Sequence, residues 1–235
     1  MRADKLMSDL GYGSRKEVKE LLKKGVLKKE GEAVTLGKTQ VDPERDEILL
    51  YGEELVYRTH LYAMMNKPKG VISATEDGKE KTVIDLLEPE DQQFAPFPAG
   101  RLDKNTTGLV FLTNDGKLAH QLTSPRRKVG KEYIVSLHRP FTEEMKNILE
   151  AGVLLEDGTE TMPAHITETE DPHVIHMEIY EGKYHQVKRM IAACRNHVTG
   201  LKRIRIGPLV LDESLAEGEY RELLEEEIEA LKNET

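Results

Sequence analysis

The 235-residue sequence contains one cysteine, Cys194, which excludes an internal disulfide and a cysteine-rich metal centre. It lacks any apolar run approaching the ~18 residues that a membrane-spanning helix needs. No apolar stretch follows Met1-Arg2-Ala3-Asp4-Lys5, so no leader is expected and a reducing cytoplasm is the expected location. Metal-ligand spacing is missing among the eight histidines. His173 and His176, three apart on an expected strand, would face opposite sides of it. Net positive charge is lacking too, and the formal charge of -9, taken as a single figure, argues against a nucleic-acid partner.

The distribution of charge reverses that inference. Nine Lys or Arg stand against four Asp or Glu from Met1 to Lys29, and seven against none from Lys183 to Arg205. Most of the acid excess sits in the tail, where Asp212 to Thr235 holds ten acids and two bases. Two basic surfaces on an acidic protein attract phosphates, because the attraction is local. With 33% charged and 38% hydrophobic residues, the composition is that of a soluble protein with an ordinary core. The length suits one large domain, or a small one joined to a medium one.

Ser14-Arg15-Lys16-Glu17 has the form of a capping box, and Val18, Leu21 and Leu22 follow at helical spacing. The expected helix, Ser14 to Lys24, buries those three, exposes Arg15, Lys16, Lys19, Lys23 and Lys24, and ends at Gly25. A shorter helix over Ala3 to Leu10 precedes it. Strands are expected at Ala33 to Leu36 and Asp46 to Leu50, then a linker from Gly52 to Arg58. Gly11 and Gly13 do not open a dinucleotide fingerprint, since Lys16 occupies the third glycine position and no strand comes before them. Two helices and a small sheet with one basic helix face make a compact nucleic-acid-binding module. On Arg2-Ala3-Asp4-Lys5-Leu6 and Gly13-Ser14-Arg15-Lys16-Glu17-Val18, residues 1–58 resemble an S4 domain, a small RNA-binding fold. The resemblance implies RNA contacts from Arg15, Lys16 and Lys19. One departure is Lys29-Glu30-Gly31, where the family usually has an uncharged valine-asparagine-glycine turn.

Residues 59–235 are expected to form a second domain. It opens with a strand over His60 to Met65, a two-lysine turn at Asn66-Lys67-Pro68-Lys69-Gly70 and a strand at Val71-Ile72-Ser73. Thr82 caps a short helix through Leu87, and prolines keep Gln92 to Gly100 extended. A strand at Leu109 to Thr113, a helix from Asn114-Asp115-Gly116 to Leu122, a basic loop at Ser124 to Lys128 and a strand at Lys131 to Leu137 come next. Thr142 caps an amphipathic helix with Met145, Ile148 and Leu149 inward, and strands follow at Thr161 to Thr167 and Val174 to Tyr180. A basic helix after Glu181, a strand at Val198 to Ile206 and an acidic helix marked by Tyr220, Leu223, Leu224, Ile228 and Leu231 complete the chain. Without a regular βαβ repeat, these elements point to an α+β class with a mixed, largely antiparallel sheet.

Within this domain Gly100-Arg101-Leu102-Asp103-Lys104-Asn105-Thr106-Thr107-Gly108-Leu109 runs into the apolar Val110-Phe111-Leu112. A polar turn carrying one acid between two cations, on the lip of a buried strand, is a rigid mount for a reactive group. Asp103 is the candidate, although Asp, Asn and Thr also serve as plain turn formers. Two further segments accompany it, Lys131-Glu132-Tyr133 and His185-Gln186-Val187-Lys188-Arg189-Met190. In this order and at these intervals the three resemble the pseudouridine synthases. With an S4-like module ahead of them, the resemblance is to the branch that modifies uridines in ribosomal RNA. Tyr184-His185-Gln186-Val187 and Asn196-His197-Val198 are similar to the small-subunit enzymes more than to their large-subunit relatives.

The resemblance implies that Asp103 is the nucleophile, Lys188 the cation held against it and Tyr133 the ring packed on the uracil. Arginine is commoner than lysine at the place of Lys188, and lysine keeps the charge without the two-pronged geometry. Val187 and Met190 suit an apolar wall beside the base, or the core. The implied reaction breaks the ribose bond to N1 of uracil and remakes it to C5, with no redox change and no group donor, so no cofactor is expected. Whether Asp103 attacks sugar or base, or accepts a sugar proton, stays open. A uridine leaves its stack at a cost of roughly a few kcal/mol. Arg101 is placed to contact the backbone or fill the vacated space, while Arg126, Arg127, Lys128, Arg189, Lys202 and Arg203 hold flanking phosphates. Binding is then expected to weaken steeply with salt. The implied partner is small-subunit ribosomal RNA, free or in an assembly particle, acted on by a monomer away from membranes. A large-subunit target and an idle RNA-binding assembly protein are the alternatives, the second having no use for Asp103.

Overall fold

Two units, Met1–Thr59 and His60–Thr235, make up the chain, and the computed structural model describes residues 1–43, 45–55 and 59–234. The first unit holds α1 (Ala3–Asp9), α2 (Arg15–Lys23) and an antiparallel sheet of β1 (Leu27–Lys29), β2 (Glu32–Ala33), β3 (Ile48–Leu50) and β4 (Glu53–Glu54), ordered β2-β1-β3-β4. The expected capping box is present. The Ser14 N–H donates to the Glu17 carboxylate at 2.8 Å, and the Glu17 N–H donates back to Ser14 Oγ. Val18 and Leu22 join Leu6, Met7, Leu27 and Ile48 in one core, with Leu21 packed against it. Arg15, Lys16 and Lys19 are left exposed.

Turn chemistry overrides composition in this sheet. Glu30-Gly31 and Tyr51-Gly52 each place both residues at positive φ, the conformation that closes a two-residue hairpin. Each turn therefore pairs the strands on either side of it. Lys28 and Lys29 enter a strand that their charge conceals, and Glu53-Glu54, expected in a linker, pair with Leu50 and Leu49. Residues 56–58 of that linker lie outside the described residues. Leu36, expected in a strand, lies beyond β2 and is exposed.

The second unit is built on β5 (Tyr62–Lys67), β6 (Phe97–Ala99), β7 (Thr107–Thr113), β8 (Lys131–Leu137), β9 (His165–Glu168), β10 (Val174–Ile179), β11 (Val198–Ile206), β12 (Leu209–Val210) and β13 (Tyr220–Glu222). They form a nine-stranded sheet, ordered β13-β5-β7-β11-β8-β10-β9, with β6 added to β7 and β12 to β11. The pairing of β7 with β11 is parallel and the other strand pairings are antiparallel, so the sheet is mixed and largely antiparallel, as the α+β reading requires. Helices α3 (Pro89–Gln92), α4 (Gly116–Thr123), α5 (Glu143–Ala151), α6 (Gln186–Ala193) and α7 (Glu225–Glu234) are interspersed. The two-residue alternation of β7 serves both faces. Val110 and Leu112 pack with Tyr133, Met145, Leu149 and Met190, whereas Leu109 and Phe111 pack with Leu118, Leu122, Ile228 and Leu231.

Several expectations change. Val71-Ile72-Ser73 is not a strand, because only Ile72 pairs, in a single bridge to Thr82. Gln92 to Gly100 is not extended throughout, since Gln92 ends α3 and only Phe97–Ala99 forms a strand. Thr161 is not strand either: its hydroxyl accepts from the Val153 N–H at 2.9 Å, and β9 starts at His165. Ile148 flanks the stripe that buries Met145 and Leu149 and is 37% exposed. Tyr220 pairs with Met65 in β13, and Leu224 is exposed at the cap of α7, where its N–H donates to Glu227 at 2.8 Å.

Candidate active site

Asp103 lies in the loop between β6 and β7, and that loop is pinned from several sides. The Leu102 side chain is buried and its N–H donates to Ser73 Oγ at 3.1 Å. The Thr106 N–H donates to the Asp103 carbonyl at 3.0 Å, and the Gly70 N–H donates to the Lys104 carbonyl at 2.8 Å. Beneath the loop Lys67 is 0% exposed. Its ammonium donates to the carbonyls of Val71 at 2.6 Å, Pro68 at 2.9 Å and Lys104 at 3.4 Å. Burial pushes the Lys67 ammonium down to about 8, with the charges of Asp103 and Glu217 opposing the shift.

Gly108 sets the distance between the loop and its neighbour strand. Its φ is +96°, and a Cβ there would come 2.2 Å from the Arg203 carbonyl oxygen. Only a residue without a side chain lets β7 lie this close to β11.

The Asp103 carboxylate receives Lys188 on one oxygen at 2.5 Å, and His185 Nε2 lies 3.4 Å from the other. Both partners belong to the start of α6, which a buried polar knot fixes. Gln186 Nε2 donates to Glu181 at 2.9 Å, Gln186 Oε1 accepts from the Lys183 N–H at 2.9 Å, and Glu181 also accepts from the Met162 N–H at 2.8 Å. His185 is held at φ 49° and ψ 33°. Tyr133, 8% exposed on β8, lines the same pocket with Leu102, Thr106, Ile179, Val187 and Leu201. Asp103, Tyr133 and Lys188 therefore meet, giving a half-buried carboxylate with a cation beside an apolar, aromatic wall.

The basic residues divide. Arg101 is exposed and lines the pocket. Arg126 and Arg127 stand exposed on the short 3-10 turn Pro125–Arg127, followed by exposed Lys128. Lys202 is half-buried on β11. Arg189 bridges to Asp157 at 2.6 Å and donates to the Tyr184 carbonyl at 3.3 Å. In the first unit, Lys16 and Lys19 line a groove with Arg2 and Lys38.

Arg203 is a correction. It is 2% exposed and its Nε donates to the Leu109 carbonyl at 2.9 Å, so it serves the β7–β11 junction and does not reach a phosphate. Val187 lines the pocket, whereas Met190 is core. Sequence reasoning missed Lys67 and the contact of His185 with Asp103. The signal for Lys67 was a lysine closing an apolar strand immediately before a proline; His185 offered none beyond its place at the start of a helix.

Residues 61–193 match the family described as RNA pseudouridylate synthase. The chain belongs to that family. It is 51% identical over 234 residues to an uncharacterised RNA pseudouridine synthase of Bacillus subtilis (strain 168), covering 98% of each. Identity is 40% over 240 residues to the ribosomal small subunit pseudouridine synthase A of Haemophilus influenzae, with 98% of this chain and 99% of that one covered. A crystal structure of a pseudouridylate synthase is similar over 98% of this chain and 99% of its own, with a TM-score of 0.69 and 39% identity. The resemblance read from the three motifs is borne out, and this synthase is an isomerase.

Proposed function

We propose that this synthase isomerises a specific uridine of small-subunit ribosomal RNA, with Asp103 as its nucleophile. The observation that carries the reading is the Asp103 carboxylate seated on Lys188 at 2.5 Å, in a pocket walled by Tyr133. Support for the target comes from the relative named for the small ribosomal subunit, which is covered over 99% of its length.

The chemistry is internal to the nucleotide. The bond from C1′ to N1 breaks, the uracil turns, C1′ bonds to C5, the C5 proton leaves to solvent and N1 gains a proton. Atoms and electrons balance without a donor, so no cofactor is required. Asp103 acts as an anion toward sugar or base, Lys188 orients it by a charged hydrogen bond, and Tyr133 packs on the ring that must rotate. Arg101 fills or guards the space that the flipped base leaves, and Arg126, Arg127 and Lys128 hold neighbouring phosphates. The first unit acts as an S4-type RNA-binding module through Arg15, Lys16 and Lys19. The synthase works as a cytoplasmic monomer.

Tritium release from RNA labelled at uridine C5 tests the reading. Wild type releases tritium from small-subunit RNA, free or in partly assembled particles, and Asp103→Asn loses at least about 10³-fold in rate while still binding. Release from large-subunit RNA alone would overturn the target. Silence on both RNAs, with binding intact, would overturn the enzymatic role.

A further inference from the structure

The most exposed of the large apolar side chains among the described residues stands at the rim of the site. Tyr184 is 76% exposed, and its ring lies against that of His185 with centroids 3.8 Å apart and planes 20° from parallel. His185 in turn lines the pocket and approaches Asp103 at 3.4 Å. One face of the imidazole is thus covered by Tyr184 while its edge addresses the carboxylate. Arg189 donates to the Tyr184 carbonyl and is itself tied to Asp157, so the tyrosine is mounted on a fixed backbone.

Single exposed apolar residues need no explanation by themselves. This one differs in its position and in its preordered stack. A tyrosine ring backed by a parallel ring offers an outward flat face, which is what an unpaired RNA base stacks upon. A base flipped toward Asp103 leaves its immediate neighbours in the strand near the rim, where that face waits. Arg101, exposed on the same pocket, supplies a cation for the phosphate between them.

We infer that Tyr184, backed by His185, is a stacking platform for an unpaired base next to the target uridine, so that the synthase selects a site in single-stranded or opened RNA. The inference rests on the reading of this chain as a synthase acting on ribosomal RNA. Tyr184 is a specificity residue that touches substrate, and His185 is its support.

The test compares kcat/KM for wild type, Tyr184→Phe, Tyr184→Leu and Tyr184→Ala on unmodified small-subunit ribosomal RNA, or on large-subunit RNA if that is the RNA isomerised. The exposure of Tyr184 leaves all four folded. Loss of one base–aromatic stack lowers kcat/KM by roughly 5- to 150-fold in the alanine variant, mainly through KM. Phenylalanine stays within about twofold, because stacking needs the ring and not the hydroxyl, and leucine behaves like alanine. On a short RNA spanning the mapped uridine, an abasic nucleotide at the stacked position lowers wild-type kcat/KM by the same factor and abolishes the difference between wild type and Tyr184→Ala. Tyr184→Ala at wild-type kcat/KM overturns the inference, and so does leucine matching phenylalanine, or a deficit that persists undiminished on the abasic RNA. A wild type silent on both RNAs would overturn the proposed function and the inference with it; an active wild type separates the two.

Discussion

Asp103 and Lys188 are 85 positions apart in the chain and 2.5 Å apart in the fold. Lysine gives Asp103 a point charge with one well-placed contact. Arginine at the same place would keep the charge and add a second prong. Lys188→Arg is expected to keep kcat within about tenfold, and Lys188→Ala to lose about 10²- to 10⁴-fold with KM for RNA little changed, since the proposed phosphate contacts are made by other residues. A large rise in KM for the alanine variant would assign Lys188 to binding instead. Lys131 lies elsewhere on the energy scale. It is 8% exposed and donates to the Val129 carbonyl at 2.9 Å, and burial, helped by the charge of Arg203, pushes it down to about 8. Below that pH it is charged in both the folded and unfolded chain, and folding desolvates the charge. Between about 8 and its ordinary value near 10.4 the unfolded chain binds more protons, so this residue's contribution to stability rises with pH. Lys131→Met should therefore be more stable than wild type by about 1–3 kcal/mol at pH 7, an advantage that shrinks toward pH 10. Urea midpoints measured across that range check it; a gap that stays constant would refute the desolvation account. Asp103 was legible as one acid between two cations in a polar turn before a buried strand, whereas Tyr133 and Lys188 were legible only through the resemblance of their segments to the pseudouridine synthases. Lys67, Lys131 and Arg203 were not, because residue type says surface and only the assembled sheet buries them.

The strand β7 and its partner β11 depend on one missing side chain. A methyl group on Gly108 would meet backbone at 2.2 Å, which no rotamer change relieves, and the positive φ adds strain. Gly108→Ala is expected to destabilise the second unit by more than about 3 kcal/mol and to abolish isomerisation together with the fold, a joint effect that circular dichroism and activity would register. An active, normally stable variant would show that the strands separate cheaply. At the other end of the chain, Ser14→Ala removes one half of a capping box and should cost about 1 kcal/mol, seen as a lower denaturation midpoint for the first unit. The bounds of β8 and β11 agree with those read from the sequence, and in β8 the alternation is matched by burial of every second residue. The short strands β1, β4 and β13 escaped the sequence reading: turn geometry and a distant partner, Met65 in the case of Tyr220, place them where most of the residues are charged.

At the scale of the molecule the formal charge of -9 coexists with exposed cations at Arg101, Arg126, Arg127 and Lys128. RNA affinity should fall steeply with salt, with a slope of about -0.7 in log-log terms for each phosphate held in single-stranded RNA. Replacing Arg126, Arg127 and Lys128 with alanine should flatten the slope by about that amount for each phosphate set free, as titrations at several salt concentrations would reveal; an unchanged slope would remove this loop from the interface. The order of the sheet has a consequence for how the molecule comes into being. β11 lies between β7 and β8, yet it is made after both. Among the described strands β5, β6 and β7, around the Asp103 loop, pair with none of β8, β10 and β9, which precede the helix of Lys188, and only β11 joins the two sets. Acid and cation should therefore come together only once Val198–Ile206 is in place, so a nascent chain on its own ribosome, surrounded by the RNA it is proposed to modify, is expected to stay chemically silent until nearly all of it has been synthesised; tritium release by a chain stalled before Val198 would refute this.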